Sequence, residues 1–96
     1  MVRMTVIATV REEKKEEFLQ AVRSLQRDRV REPGAREAGV YEDGDRTRFR
    51  LVEEWETQAH LERHRESENF RVLQGALKAL CVEADLRWGR GPDEGG

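Results

Sequence analysis

From Val2 to Val10 the chain alternates strictly, with Val2, Met4, Val6, Ala8 and Val10 on one face and Arg3, Thr5, Ile7 and Thr9 on the other. That is the period of a β-strand, and its β-branched residues suit one. From Glu12 to Arg31 the period lengthens. Phe18, Val22 and Leu25 recur at helical spacing with Ala21 beside them, which predicts an amphipathic helix. Acidic residues crowd its first half and Arg23, Arg27, Arg29 and Arg31 its second, an order that suits the helix dipole and reads as a solvated face. Pro33-Gly34 ends it in a turn.

Ala35 to Glu42 predicts a second strand whose bulky apolar residues are only Val40 and Tyr41, which suggests an edge position. Asp43-Gly44-Asp45 is a hairpin signal, so the next strand pairs with it antiparallel. That strand is Phe49 to Trp55, with Phe49, Leu51, Glu53 and Trp55 on one face. At Thr57 the period changes again. Leu61, His64 and Arg65 fall at helical spacing behind Thr57 as N-cap, and Ser67 caps a further helix through Phe70, Leu73, Leu77 and Leu80. Val82, Ala84, Leu86 and Trp88 alternate with Glu83, Asp85 and Arg87 as a last strand, in which Trp88 is expected to be packed either under the helices or across the dimer. Gly89 to Gly96 reads as a disordered tail behind a single domain spanning residues 1–88.

The order βαββαβ implies an α+β fold of the ferredoxin-like type: a four-stranded antiparallel sheet with the helical segments on one face. The other face, carrying Thr5, Ile7, Thr9 and Val52, would lie bare. Packing two such faces together removes apolar area from water at roughly 25 cal/mol for each Å². A homodimer is therefore expected.

Composition narrows the function. Charged residues make up 40% of the chain and hydrophobic ones 36%, with a net charge of -2 and both signs mixed throughout. No basic stripe with interleaved aromatics appears, which argues against nucleic acid as a partner. Nothing resembles a signal peptide or membrane span, so a cytoplasmic protein that does not engage membranes is expected. Cys81 is the single cysteine and reads as a small apolar residue at a strand start, with no Cys/His cluster to hold a metal.

Three pieces carry a family resemblance: Glu32-Pro33-Gly34, the run Phe49-x-Leu51-Val52-Glu53-Glu54-Trp55-Glu56, and His64-x-x-Ser67-x-x-Phe70. In their order the chain resembles the antibiotic biosynthesis monooxygenase family of the dimeric α+β barrel superfamily, over residues 4 to 88. The resemblance implies that fold, a homodimer and several activities. These include cofactor-free oxygenation of quinol-like or polyketide aromatics, haem degradation, isomerisation, and ligand binding without catalysis. The oxygenases and haem degraders tend to carry an Asn beside the Trp on a strand. Here the only Asn is Asn69, placed between helices, and Ala38 and Gly39 stand where relatives carry bulkier residues.

Read physically, Met4, Val6, Phe49, Leu51, Trp55, Leu61 and Phe70 would wall an apolar pocket with Glu53 and His64 as its polar points, suited to a planar aromatic. His64 is the candidate catalytic base, because its ordinary pKa lies nearest neutrality. Trp55, Glu53, Leu51, Phe49, Val6, Leu61 and Phe70 are the candidate substrate contacts, and no cofactor or metal is called for. Structural readings stand beside these. Trp55 also suits a core position, His64 also suits pairing with a glutamate such as Glu68, and Glu53 also suits bridging by an arginine.

Overall fold

The computed structural model describes residues 1–90. Four strands form one antiparallel sheet in the order β2-β3-β1-β4: β1 (Val2–Val10), β2 (Ala35–Glu42), β3 (Arg48–Trp55) and β4 (Cys81–Arg90). Helices α1 (Lys15–Asp28), α2 (Gln58–Arg65) and α3 (Glu68–Leu80) accompany it. The fold is the ferredoxin-like arrangement the periodicity predicts, with β2 at an edge. The long first helix is shorter than its pattern suggests. Its two ends tighten into 3-10 turns, Glu12–Lys14 and Arg29–Arg31.

Register explains which side is covered. Val6 pairs with Leu51 and with Leu86, while Met4 pairs with Glu53 and with Trp88. Val2, Met4, Val6, Ala8 and Val10 are buried under the helices with Phe49, Leu51, Glu53 and Trp55, against Phe18 and Val22 of α1 and Leu73, Leu77 and Leu80 of α3. On the opposite face Thr5 pairs with Val52 and Ile7 with Arg50, and Thr5, Ile7 and Val52 are of intermediate exposure, with no element among the described residues packed over them.

The last strand departs from its expected phase. A bulge beside Thr9 and Val10 sets Cys81, rather than Val82, opposite Val10. Cys81 is buried and Val82 stays 63% exposed, because an extra residue in one strand reverses which face the next side chain meets. Burial pushes the Cys81 thiol up to about 11, against the opposing pull of Arg11, so it is an unreactive packing residue. β4 also runs through Gly89 to Arg90, two residues into the expected tail, and the remainder of that tail lies outside the described residues.

Candidate active site

The site is built where β3 ends. Its alternation carries Glu53 and Trp55 inward, and Thr57 then caps α2 by accepting the His60 backbone N–H. Helical spacing from Leu61 to His64 turns both side chains toward the sheet, and they are the only buried residues of α2. Ser67 ends this short helix and starts α3, accepting from Phe70 N at 3.2 Å and donating to the His64 carbonyl at 2.6 Å. The capping residues thereby fix His64 and Phe70 relative to each other.

Glu32 arrives from the far side. In Glu32-Pro33-Gly34, the carbonyl of Gly34 accepts Glu56 N at 2.8 Å and Ala35 pairs with Trp55, which clamps this turn to the end of β3. Gly34 has φ of 80° and a Cβ there would stand 2.2 Å from the His60 ring, so glycine is required on both counts.

At the centre lies His64, fully buried. Its Nδ1 donates to Glu32 Oε1 at 2.8 Å. Its Nε2 lies 3.3 Å from Glu53 Oε1, an ionic contact too poorly aligned to satisfy either atom, since both are buried without a hydrogen-bond partner. The ring stacks on Trp55 with centroids 4.4 Å apart and meets the edge of Phe70 at 5.6 Å. Phe70 in turn touches Trp88 at 5.7 Å, and the Arg65 guanidinium covers Trp88. A continuous aromatic file thus runs from the buried imidazole to the surface. Burial pulls the His64 pKa down, but the carboxylates of Glu53 and Glu32 outweigh it and hold the pKa above its ordinary value.

Arg29, in the 3-10 turn after α1, completes the cluster. It is 1% exposed, and its guanidinium carbon sits 4.9 Å from the centre of the Trp55 ring. Its Nη2 donates to the Arg36 carbonyl, while Nε and Nη1 have no partner. Burial lowers its pKa, with Glu53 foremost among the carboxylates that oppose the shift.

The structure therefore brings Trp55, Glu53, His64, Leu61 and Phe70 to one end of the sheet. It does not bring Phe49 there. Six residues back along the strand, about 20 Å from Trp55, Phe49 packs on Phe18 under α1. Leu51 and Val6 pair across the middle of the sheet between these ends. Trp88 is packed on the helix side of the sheet, the first of the two placements expected for it. The partner of His64 is not Glu68, which is exposed and pairs with Arg71. Asn69 lies in the first turn of α3, where its amide donates to Leu25 O at 2.8 Å and ties α3 to α1. Sequence reading missed Glu32 and Arg29 as members of the cluster. The signal for Glu32 was its place in a turn already singled out, and for Arg29 its distance of three residues from Glu32 on a helix end.

Trp55, Leu61 and His64 have no accessible surface, so no void of water size borders them. Among the described residues, no group of three or more His, Cys, Asp or Glu side chains is arranged to hold a metal ion. Iron ligation through His64 Nε2 would require that nitrogen to turn away from Glu53.

Sheet order, helix placement and a buried aromatic–imidazole cluster at the end of β3 define an α+β protein of the ferredoxin-like class. The chain belongs to the antibiotic biosynthesis monooxygenase family, whose pattern matches residues 1–76. It is similar to a proposed antibiotic biosynthesis monooxygenase from Nitrosomonas europaea, with 26% identity over 96% of this chain and 99% of that one and a TM-score of 0.83. It is also similar to a conserved protein from Methanosarcina mazei Go1, at 25% identity over 93% and 90% of the two chains and a TM-score of 0.84. A structure from Deinococcus radiodurans shares the fold at 18% identity, covering 95% and 92%, with a TM-score of 0.85. No curated protein matches the chain.

Proposed function

We propose that the protein is a cofactor-independent monooxygenase of a small aromatic substrate, quinol-like or polyketide-like, with His64 as the base. One observation carries this reading: a buried imidazole nitrogen without an aligned hydrogen bond faces a carboxylate and lies against an indole ring. Glu53 orients the imidazole and stabilises its protonated form, and Glu32 holds the opposite nitrogen. Trp55, Leu61 and Phe70 take the planar substrate, with Leu51 and Val6 as the nearer part of the sheet floor.

The chemistry asks little more of the protein. His64 Nε2 takes a proton from an activated CH₂ or its enol, and the resulting carbanion passes one electron to O₂. The radical pair joins through a new C–O bond, and His64 returns a proton to the peroxide. Loss of water then leaves a carbonyl, so that CH₂ and O₂ become C=O and H₂O with no external reductant. Apolar walls keep bulk water from these intermediates.

Substrate must displace part of the packing. The weakest wall is α2, held inward by Leu61 and His64 alone, and the groove of Glu62, Arg65, Glu66 and Gln74 over Phe70 is the approach from solvent. The working unit in this reading is a homodimer joined through the uncovered sheet face.

The test is oxygen uptake with hydroquinones, naphthols and anthrones, with and without haem. His64→Ala should lower turnover by about 10²- to 10⁴-fold while leaving the circular dichroism spectrum unchanged. The closed packing around Trp55 favours a second reading, a small-ligand-binding protein without catalysis. In that case aromatics quench Trp55 fluorescence, no oxygen is consumed, and His64→Ala changes affinity alone.

A further inference from the structure

The C-terminal half of α1, the 3-10 turn after it and the first residues of β2 border an open groove of about 470 Å³ that the proposed oxidation does not use. Among the described residues, its walls carry Arg23, Arg27, Arg29 and Arg36 against one acid, Glu37. Arg23 and Arg27 stand one helical turn apart, where like charges repel. Among the described residues, no carboxylate lies within salt-bridge distance of Arg23, Arg27 or Arg29. Arg36 meets only Glu56 at 3.6 Å, with both side chains more than half exposed.

The inner wall supplies the second observation. Arg29 is buried to 1% exposure with Nε and Nη1 unpartnered. A buried guanidinium with two unpartnered nitrogens is costly, and Glu53, Glu32 and Glu54 offset that cost only through space, none of them within salt-bridge distance. Val30 stands at the same groove, 67% exposed, and offers apolar ground beside the charges.

We propose that this groove binds a small phosphate-bearing molecule, with Arg23, Arg27 and Arg36 gripping the phosphate oxygens and Arg29 closing the inner wall. Guanidinium forks match phosphate oxygens two at a time, and a multiply charged anion relieves the repulsion between Arg23 and Arg27. The carbon part of the ligand lies on Val30 and Ala38. Among the described residues, no aromatic side chain lines the groove on which a base of single-stranded nucleic acid could stack. The site is linked to the candidate active site through one ring, because Arg29 covers Trp55 and Trp55 stacks on His64. The proposal stands whether or not His64 is catalytic.

In a Trp88→Phe protein Trp55 is the remaining tryptophan, and its emission reports on Arg29. Titration with inorganic pyrophosphate at fixed ionic strength should change that emission saturably, with Kd below about 1 mM. Calorimetry should give the same Kd with one site per chain. Arg23→Ala/Arg27→Ala exchanges two exposed helical side chains and should melt as the parent does, yet weaken binding by about tenfold or more. Arg46→Ala/Arg71→Ala, on other surfaces, should leave Kd unchanged. No saturable heat up to about 10 mM pyrophosphate, or an unchanged Kd in the Arg23/Arg27 variant, overturns the site. Tighter binding of citrate overturns the phosphate assignment, and tighter binding of a short single-stranded RNA overturns the small-molecule one. Binding heat without a change in Trp55 emission removes Arg29 from the site.

Discussion

His64 receives its two carboxylates from opposite directions in the chain, Glu32 from the turn before β2 and Glu53 from the strand before α2. Both favour the imidazolium, and their joint effect exceeds the burial that opposes it. The raised pKa fixes the sign of a stability effect. The contribution is fully present below the unfolded value near 6.5 and is lost as pH rises through the folded value. Imidazole NMR should therefore place the His64 pKa above 6.5. Glu53→Gln, which keeps the shape and removes the charge, should lower it and flatten the loss of stability toward alkaline pH. His64 and Trp55 were legible as neighbours, because a strand of fixed period and a helix of fixed period meet there. Glu32 and Arg29 were not. Their contacts depend on how the end of α1 docks on the sheet, and an arginine in a charge run reads as solvated until tertiary structure buries it.

The helices and strands differ in how plainly they announce themselves. β1 and β3 alternate without interruption, and α3 carries an apolar stripe, so their identities followed from period alone. The bulge opposite Thr9 and Val10 was hidden, since Val82 fits the alternation as well as Cys81 does and only pairing with β1 chooses between them. Helix α2 is eight residues long and holds the candidate base. So short a helix depends on its cap and its buried side chains rather than on propensity. Leu61→Ala should cost about 2–5 kcal/mol in urea unfolding, and Thr57→Ala about 1 kcal/mol through the lost cap. Both variants should also speed the binding of aromatics at Trp55, since the same helix guards it. Equal binding rates in wild type and Leu61→Ala would show that ligands reach the ring by another path.

At the scale of the molecule, the described residues cover the sheet on one side only. The other side joins Arg3 to Glu54 at 3.0 Å, beside half-buried Thr5, Ile7 and Val52 and, on β2, Tyr41 at 50% exposure. Docking two such faces is the expected assembly. Val52→Asp would place an unpaired charge in that contact at a cost of several kcal/mol and should shift sedimentation from dimer to monomer. A wild-type monomer at micromolar concentration contradicts the arrangement. The proposed function turns on the imidazole between Glu32 and Glu53 as the group whose proton state governs oxidation. The pH profile of oxygen uptake tests it most directly. Turnover with a quinol or anthrone, measured without metal or cofactor, should rise through an apparent pKa above 6.5 and shift to lower pH in Glu53→Gln. A flat profile, or no uptake at any pH with any member of the panel, contradicts it.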